Sequence, residues 1–291
     1  MLLSEPPPSQ GDFHFSLLGY PVRIHPFFWL STLFLSGLGR PIHVILWVVA
    51  VLVCILLHEL GHAVVMRYYG YRPSIVLYSF GGLAIPHPGP YTGRRPGPWG
   101  NMLISVAGPA SGFILAAVLV LGLHYLDGCP VVRDFADVTQ ADLRASHNVV
   151  AIFLPTWRDV SPVWCQVVEF ERQGDAMLRI VSREDVLGEF VNCVFYITVL
   201  WGLVNLLPIY PLDGGQIAEQ IFTLNNPQDS IRPTLLLSLI VGGLMTAMFA
   251  MQAMNVKGGM DWSNSYRALF FGYLTFTNYE RLQSYGIRGG W

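Results

Sequence analysis

Four long stretches without a single Lys, Arg, Asp or Glu dictate what this chain can become: residues 41–58, 100–126, 190–212 and 233–256. A helix needs about 20 mainly apolar residues to cross the hydrocarbon core of a bilayer, and each stretch approaches or exceeds that length. The whole chain is 53% hydrophobic and only 12% charged, against about 25% charged in an ordinary soluble domain. Two weaker stretches, 24–39 and 268–279, bring the expectation to about six transmembrane helices in an all-α polytopic membrane protein. The domain reading follows from the same pattern. It gives an N-terminal segment 1–23, a first membrane half 24–125, an extramembrane insertion 126–189, a second membrane half 190–280 and a C-terminal tail 281–291.

The distribution of charge orients these spans. Gly70 to Gly100 carries Arg72, Arg94 and Arg95 and no acid, which places that loop on the cytoplasmic side. Leu126 to Glu189 holds six Arg and eleven acids, among them Asp134, Asp137, Asp142, Glu169, Glu171, Glu184 and Asp185, and belongs on the other side. Residues 1–10, with Pro6, Pro7 and Pro8, show no basic start, apolar core or cleavage site, so targeting falls to the first spanning helix. Arg outnumbers Lys, which fits a multi-pass protein of a prokaryotic cell membrane. The four cysteines form no CxxC pair, which argues against thiolate metal ligation. Cys129 and Cys165 share the outer insertion, either as a disulfide or as two unpaired thiols. Basic residues form no stripe, so no nucleic-acid partner is expected. Trp29, Trp47, Trp99, Trp201 and Trp262 fall near span ends and read as interfacial anchors.

The chemistry enters at His58-Glu59-Leu60-Gly61-His62, an HExxH sequence closing the first long apolar stretch. Residues four apart share one face of a helix. Two imidazoles at that spacing therefore grip one metal, with Glu59 beside them to take a proton from a water on it. Ionisable groups inside a spanning helix are costly and are functional candidates by default. Arg67 marks where the helix emerges, which puts the motif near the cytoplasmic face.

A hydrolytic zinc normally has three protein ligands. No His follows His62 closely, and no Asp or Glu occurs between Glu59 and Asp127, so the third ligand must come from a distant segment. His87 and His124 are nominal candidates, the first a loop residue between prolines and the second an interfacial side chain. Asp213 is the better one. It closes Asn205-Leu206-Leu207-Pro208-Ile209-Tyr210-Pro211-Leu212-Asp213-Gly214-Gly215, where two prolines three apart break a helix. A membrane tolerates such backbone only where it is buried in protein or lines a wet cavity.

HELGH at 58–62 together with NLLPIYPLDGG at 205–215 resembles the site-2 protease family of intramembrane zinc metalloproteases. Pro21-Val22-Arg23-Ile24-His25-Pro26 is similar to the family's entry into its first helix. Phe80-Gly81-Gly82-Leu83-Ala84 is similar to its glycine-containing strand after the HExxH helix, and Ser105-Val106-Ala107-Gly108-Pro109 to the start of its third helix. The resemblance covers most of the chain except 126–189. It departs at Ala110-Ser111-Gly112, where the family often has Asn, and at Gln216, where it often has Arg.

The resemblance implies that His58, His62 and Asp213 bind one Zn2+ per chain, that Glu59 is the general base, and that Asn205 helps hold or polarise the scissile carbonyl. It adds a short membrane-associated β segment. Gly81 and Gly82 would lie on an edge strand that binds an unwound substrate by strand addition. The implied activity is metal-assisted hydrolysis of a peptide bond in or near a transmembrane segment of a membrane-anchored protein, as in regulated intramembrane proteolysis. The partners would be that substrate and the lipid bilayer. An inactive membrane scaffold of the same fold would have no need of Glu59. A metal transporter would be expected to show paired broken helices from an internal repeat or a His-rich loop, and the sequence has neither.

Overall fold

The computed structural model describes residues 5–36, 40–79, 81–89, 96–126, 131–132, 148–153, 166–173, 177–182, 186–254 and 262–288. Their element order is β1 (Phe13–Leu17), β2 (Tyr20–Ile24), α1 (Pro26–Leu35), α2 (Pro41–Tyr68), β3 (Ser74–Tyr78), β4 (Gly81–Ile85), α3 (Pro98–Leu126), β5 (Val131–Val132), β6 (Asn148–Phe153), β7 (Gln166–Gln173), β8 (Met177–Ser182), α4 (Val186–Asn205), α5 (Asp213–Asn225), α6 (Ile231–Met254) and α7 (Trp262–Arg288). The chain divides into two compact units, one of residues 1–90 with 108–202 and the other of 91–107 with 203–291.

Among the described residues, four helices are long and apolar enough to cross a membrane: α2, α3 over Pro98–Gly122, α4 and α6. These are the four charge-free stretches. The first and last of the six expected segments do not join them. The 10-residue α1 reaches about 15 Å at 1.5 Å per residue, half of a ~30 Å hydrocarbon core. The 27 residues of α7 are long enough, but Arg267, Glu280 and Arg281 dilute their apolar character. Ser105–Pro109, expected to open the third helix, instead lies inside α3, which begins at Pro98.

The chain is also less purely helical than expected. In the first unit, β1 to β4 form one sheet in that order. The pairs β1–β2 and β3–β4 are antiparallel, while β2 and β3 run parallel with Val22 opposite Ile75. A parallel pair needs a long crossover, and α1 and α2 supply it. The turn between β1 and β2 places Leu18 and Gly19 at positive φ, 51° and 81°. Both central residues of a primed two-residue hairpin turn adopt that geometry. Val22, Ile24, Ile75 and Leu77 from the sheet share an apolar core with Ala50, Val51, Cys54 and Ile55 of α2 and with Cys193, Val194 and Ile197 of α4. Trp29, Trp47 and Trp201 pack against this core, whereas Trp99 is 73% exposed and suits an interfacial position.

An ion-pair strap ties the N-terminal segment to β2. The buried Arg23 donates through Nη1 to Asp12 Oδ2 at 3.0 Å, and through Nη2 to Glu5 Oε1 at 2.9 Å and the Pro6 carbonyl at 3.0 Å. Burial disfavours the charged Asp12, but bonds from Ser9 and the Arg23 guanidinium outweigh it and hold the Asp12 carboxyl down at about 2.

The insertion contains a second four-stranded sheet, β5-β6-β7-β8. Its β5–β6 pair is parallel and the other two are antiparallel. Arg94, Arg95, Cys129 and Cys165 lie outside the described residues. In the second unit, Ile209, Leu212, Phe271 and Leu274 form a core with Val241, Met245 and Phe249 around them.

Candidate metal centre

His58 and His62 sit in the last three turns of α2, whose 28 residues extend about 42 Å, longer than the membrane core. His62 lies about 7 Å below the level of Arg67 on that axis. Both imidazoles are buried, as is Glu59. Their Nε2 atoms face each other at 3.2 Å while the rings stand at 78°.

Two nitrogens held about 2.0–2.1 Å from a tetrahedral zinc are separated by about 3.3 Å, so the pair fits one metal. The space in front of these nitrogens is kept by a glycine of α3. A Cβ on Gly108 would fall 2.7 Å from His58 Nε2 and closer still to His62 Nε2. The close approach of α3 is fixed by Ser111, whose hydroxyl donates to the Leu57 carbonyl at 3.0 Å and to the Gly108 carbonyl at 2.7 Å. Small residues at a helix contact permit such an approach. Neither Gly108 nor Ser111 is recognisable as a site residue from sequence alone, beyond the small-residue run in which they stand.

Asp213 is buried at the first position of α5. His58, His62 and Asp213 each offer one ligand atom, and the three atoms lie within 4.8 Å of one another. Two neutral imidazoles and one carboxylate are the donor set of a hydrolytic zinc site. The local chain allows Asp213 little freedom. Built Cβ atoms on Gly214 and Gly215 would collide with the backbone of the preceding loop, at 2.4 Å from the Leu207 carbonyl oxygen or nearer for Gly214 and 2.5 Å from Tyr210 N for Gly215. The two glycines therefore let the Leu206–Tyr210 loop fold back onto the first turn of α5.

The remaining expected site residues take different places. Gly82 stands against the general-base candidate: its Cβ would meet Glu59 Cδ and Oε1, each at 2.7 Å. Gly81 lies beside Trp201. The two open β4, the last strand of its sheet. Asn205 is buried at the end of α4. His87, a nominal third ligand, is engaged elsewhere through a 2.8 Å bond with the Ser74 hydroxyl.

The peptidase family M50 profile matches residues 46–245, a span that contains both His58-Glu59-Leu60-Gly61-His62 and Asp213. A zinc metalloprotease of Methanocaldococcus jannaschii is 32% identical over 117 residues, 39% of this chain and 32% of that protein. The match thus spans about a third of the length of the curated relative. The solved site-2 protease from Methanocaldococcus jannaschii shares the fold, with a TM-score of 0.51 and 18% identity over 93% of this chain and 95% of that one. With the family profile spanning both motifs, and with apolar helices and a fitting donor set behind them, the chain belongs to peptidase family M50, the zinc-dependent site-2 proteases of membranes.

Proposed function

We propose that this protein hydrolyses a peptide bond in or near a transmembrane segment of a membrane-anchored protein, in the manner of regulated intramembrane proteolysis. The observation that carries the reading is the convergence of His58, His62 and Asp213 with the buried Glu59 beside them. In this reading His58, His62 and Asp213 hold one zinc ion. When bound, zinc acidifies water and polarises a carbonyl. Glu59 takes the proton from the attacking water at its carboxylate and returns it to the leaving amine.

Asn205 supplies a side-chain amide to the scissile carbonyl. The outer edge of β4 offers an extended substrate the main-chain partners it loses when its helix unwinds. The closeness of Gly82 to Glu59 supports that role, since a strand added there would run past the base. The acid-free segment 70–100, with Arg72, and Arg67 at the end of α2 support a cytoplasmic opening of the site.

The test is cleavage of a membrane-anchored reporter by detergent-purified protein. Loss of cleavage in Glu59→Gln with zinc still bound supports the reading. Equal cleavage by wild type and Glu59→Gln sinks it.

A further inference from the structure

The loop that delivers Asp213 is gripped at one residue by two helices. Tyr210, three residues before Asp213, donates its N–H to Ser238 Oγ of α6 at 2.8 Å. Its carbonyl accepts from Asn278 Nδ2 of α7 at 2.6 Å. A third contact comes from Arg281 of α7, whose guanidinium carbon lies 4.9 Å from the centre of the Tyr210 ring. Pro208 and Pro211 bracket Ile209 and Tyr210 and have no N–H to offer, so no helix ladder can hold this stretch in place.

Both gripping side chains are committed and deeply buried. Ser238 is 0% and Asn278 1% exposed. The Asn278 amide faces two carbonyls, Tyr210 and Leu274, the latter at 2.8 Å, so its amino group must point at both. Its Oδ1 is buried without a hydrogen-bond partner among the described residues. Leaving a buried acceptor unmet is costly. A side chain chosen only to fill the α6–α7 contact would avoid that cost, and an apolar residue would serve.

The grip is transmitted directly to the ligand. A Cβ on Gly215 would lie 2.5 Å from Tyr210 N, so the held peptide abuts the first turn of α5, where Asp213 sits. We infer that Ser238 and Asn278 are positioning residues for Asp213: by clamping the backbone of Tyr210 on both sides they fix the carboxylate where a metal can use it. The inference rests on the proposed zinc site, and the experiment separates the two.

Zinc affinity is measured by chelator competition on the full-length detergent-purified protein, and the visible absorption of the cobalt(II)-substituted protein reports ligand geometry. Asn278→Leu and Ser238→Ala are each expected to weaken zinc about tenfold, the scale for a lost outer-shell partner of a metal ligand, and to shift the cobalt bands. The double variant should lose less than the product of the two, because both act on the backbone of one residue. Thr275→Val provides the control. Thr275 lies in the same helix contact, against Gly242, but among the described residues its hydroxyl bonds only the Phe271 carbonyl of its own helix. It should lower thermal stability without moving zinc affinity or the cobalt spectrum.

Zinc affinity and cobalt bands unchanged in both Asn278→Leu and Ser238→Ala would overturn the inference. Should Asn278→Leu not fold, Ser238→Ala decides alone by the same readouts. A wild-type protein that holds no zinc would instead remove the site on which the inference rests, and the inference with it.

Discussion

Gly82 leaves the space that Glu59 occupies: a Cβ at residue 82 would lie 2.7 Å from both Cδ and Oε1 of the Glu59 carboxylate. The strand edge and the base candidate are therefore in contact, and a methyl group on one must displace the other. Gly82→Ala should lower kcat by up to about a hundredfold, the scale of a 1 Å misplacement at a reacting group, and leave zinc content unchanged. Steady-state cleavage of a membrane-anchored reporter, read beside metal analysis, checks this. Loss of zinc in that variant would contradict it.

Gly108→Ala should produce the opposite pattern. Its methyl group would press on the two Nε2 atoms that face one another across 3.2 Å, so metal retention should fall before any step of the reaction is reached. Metal analysis of purified Gly108→Ala is expected to show depleted zinc, partly restored by excess zinc. Full occupancy would show that the two imidazoles do not meet a metal on that side.

Glu59→Gln keeps the volume of the side chain and all three proposed ligands but removes the base. Cleavage should fall by at least about 10²–10⁴-fold while zinc stays bound. A variant that keeps wild-type cleavage would exclude Glu59 as the proton acceptor.

The N-terminal strap should respond to acid. The Asp12 carboxyl is held at about 2, below the ordinary value near 4. Its contribution to stability is therefore complete above about pH 4 and is lost as pH falls through about 2. At neutral pH, Asp12→Asn should melt several degrees below wild type, with the difference shrinking between pH 4 and pH 2. Thermal unfolding in detergent at the two ends of that window measures it. A difference that stays constant would mean that Asp12 is not held by Arg23.

How much of this could be read from the sequence follows from the range of each interaction. His58, Glu59 and His62 were legible because one turn of helix brings them together. The four charge-free stretches were legible because hydrocarbon permits little else. Asp213 could be singled out from Pro208 and Pro211, since broken backbone in a membrane needs a reason.

Pairing at β4 was expected from Gly81 and Gly82, but the strands β1, β2 and β3 beside it were not. The parallel match of Val22 with Ile75 joins segments separated by two helices, and no local periodicity announces such a pair. Gly108 and Ser111 look like ordinary small residues of a membrane helix until the neighbouring helix is in place. Ser238 and Asn278 look like ordinary polar residues of their helices, and only the loop they grip gives them a meaning. Trp201 read as an interfacial anchor because it stands near a span end, yet it packs inward beside Gly81.

The central claim is that segments about 150 residues apart build one zinc site, and it is tested most directly by the zinc content of detergent-purified wild type and Asp213→Ala. The account predicts about one zinc per chain in wild type and a much reduced content in the variant, with its fold intact by circular dichroism. Equal zinc in both proteins, or none in a wild type purified without chelators, would contradict it.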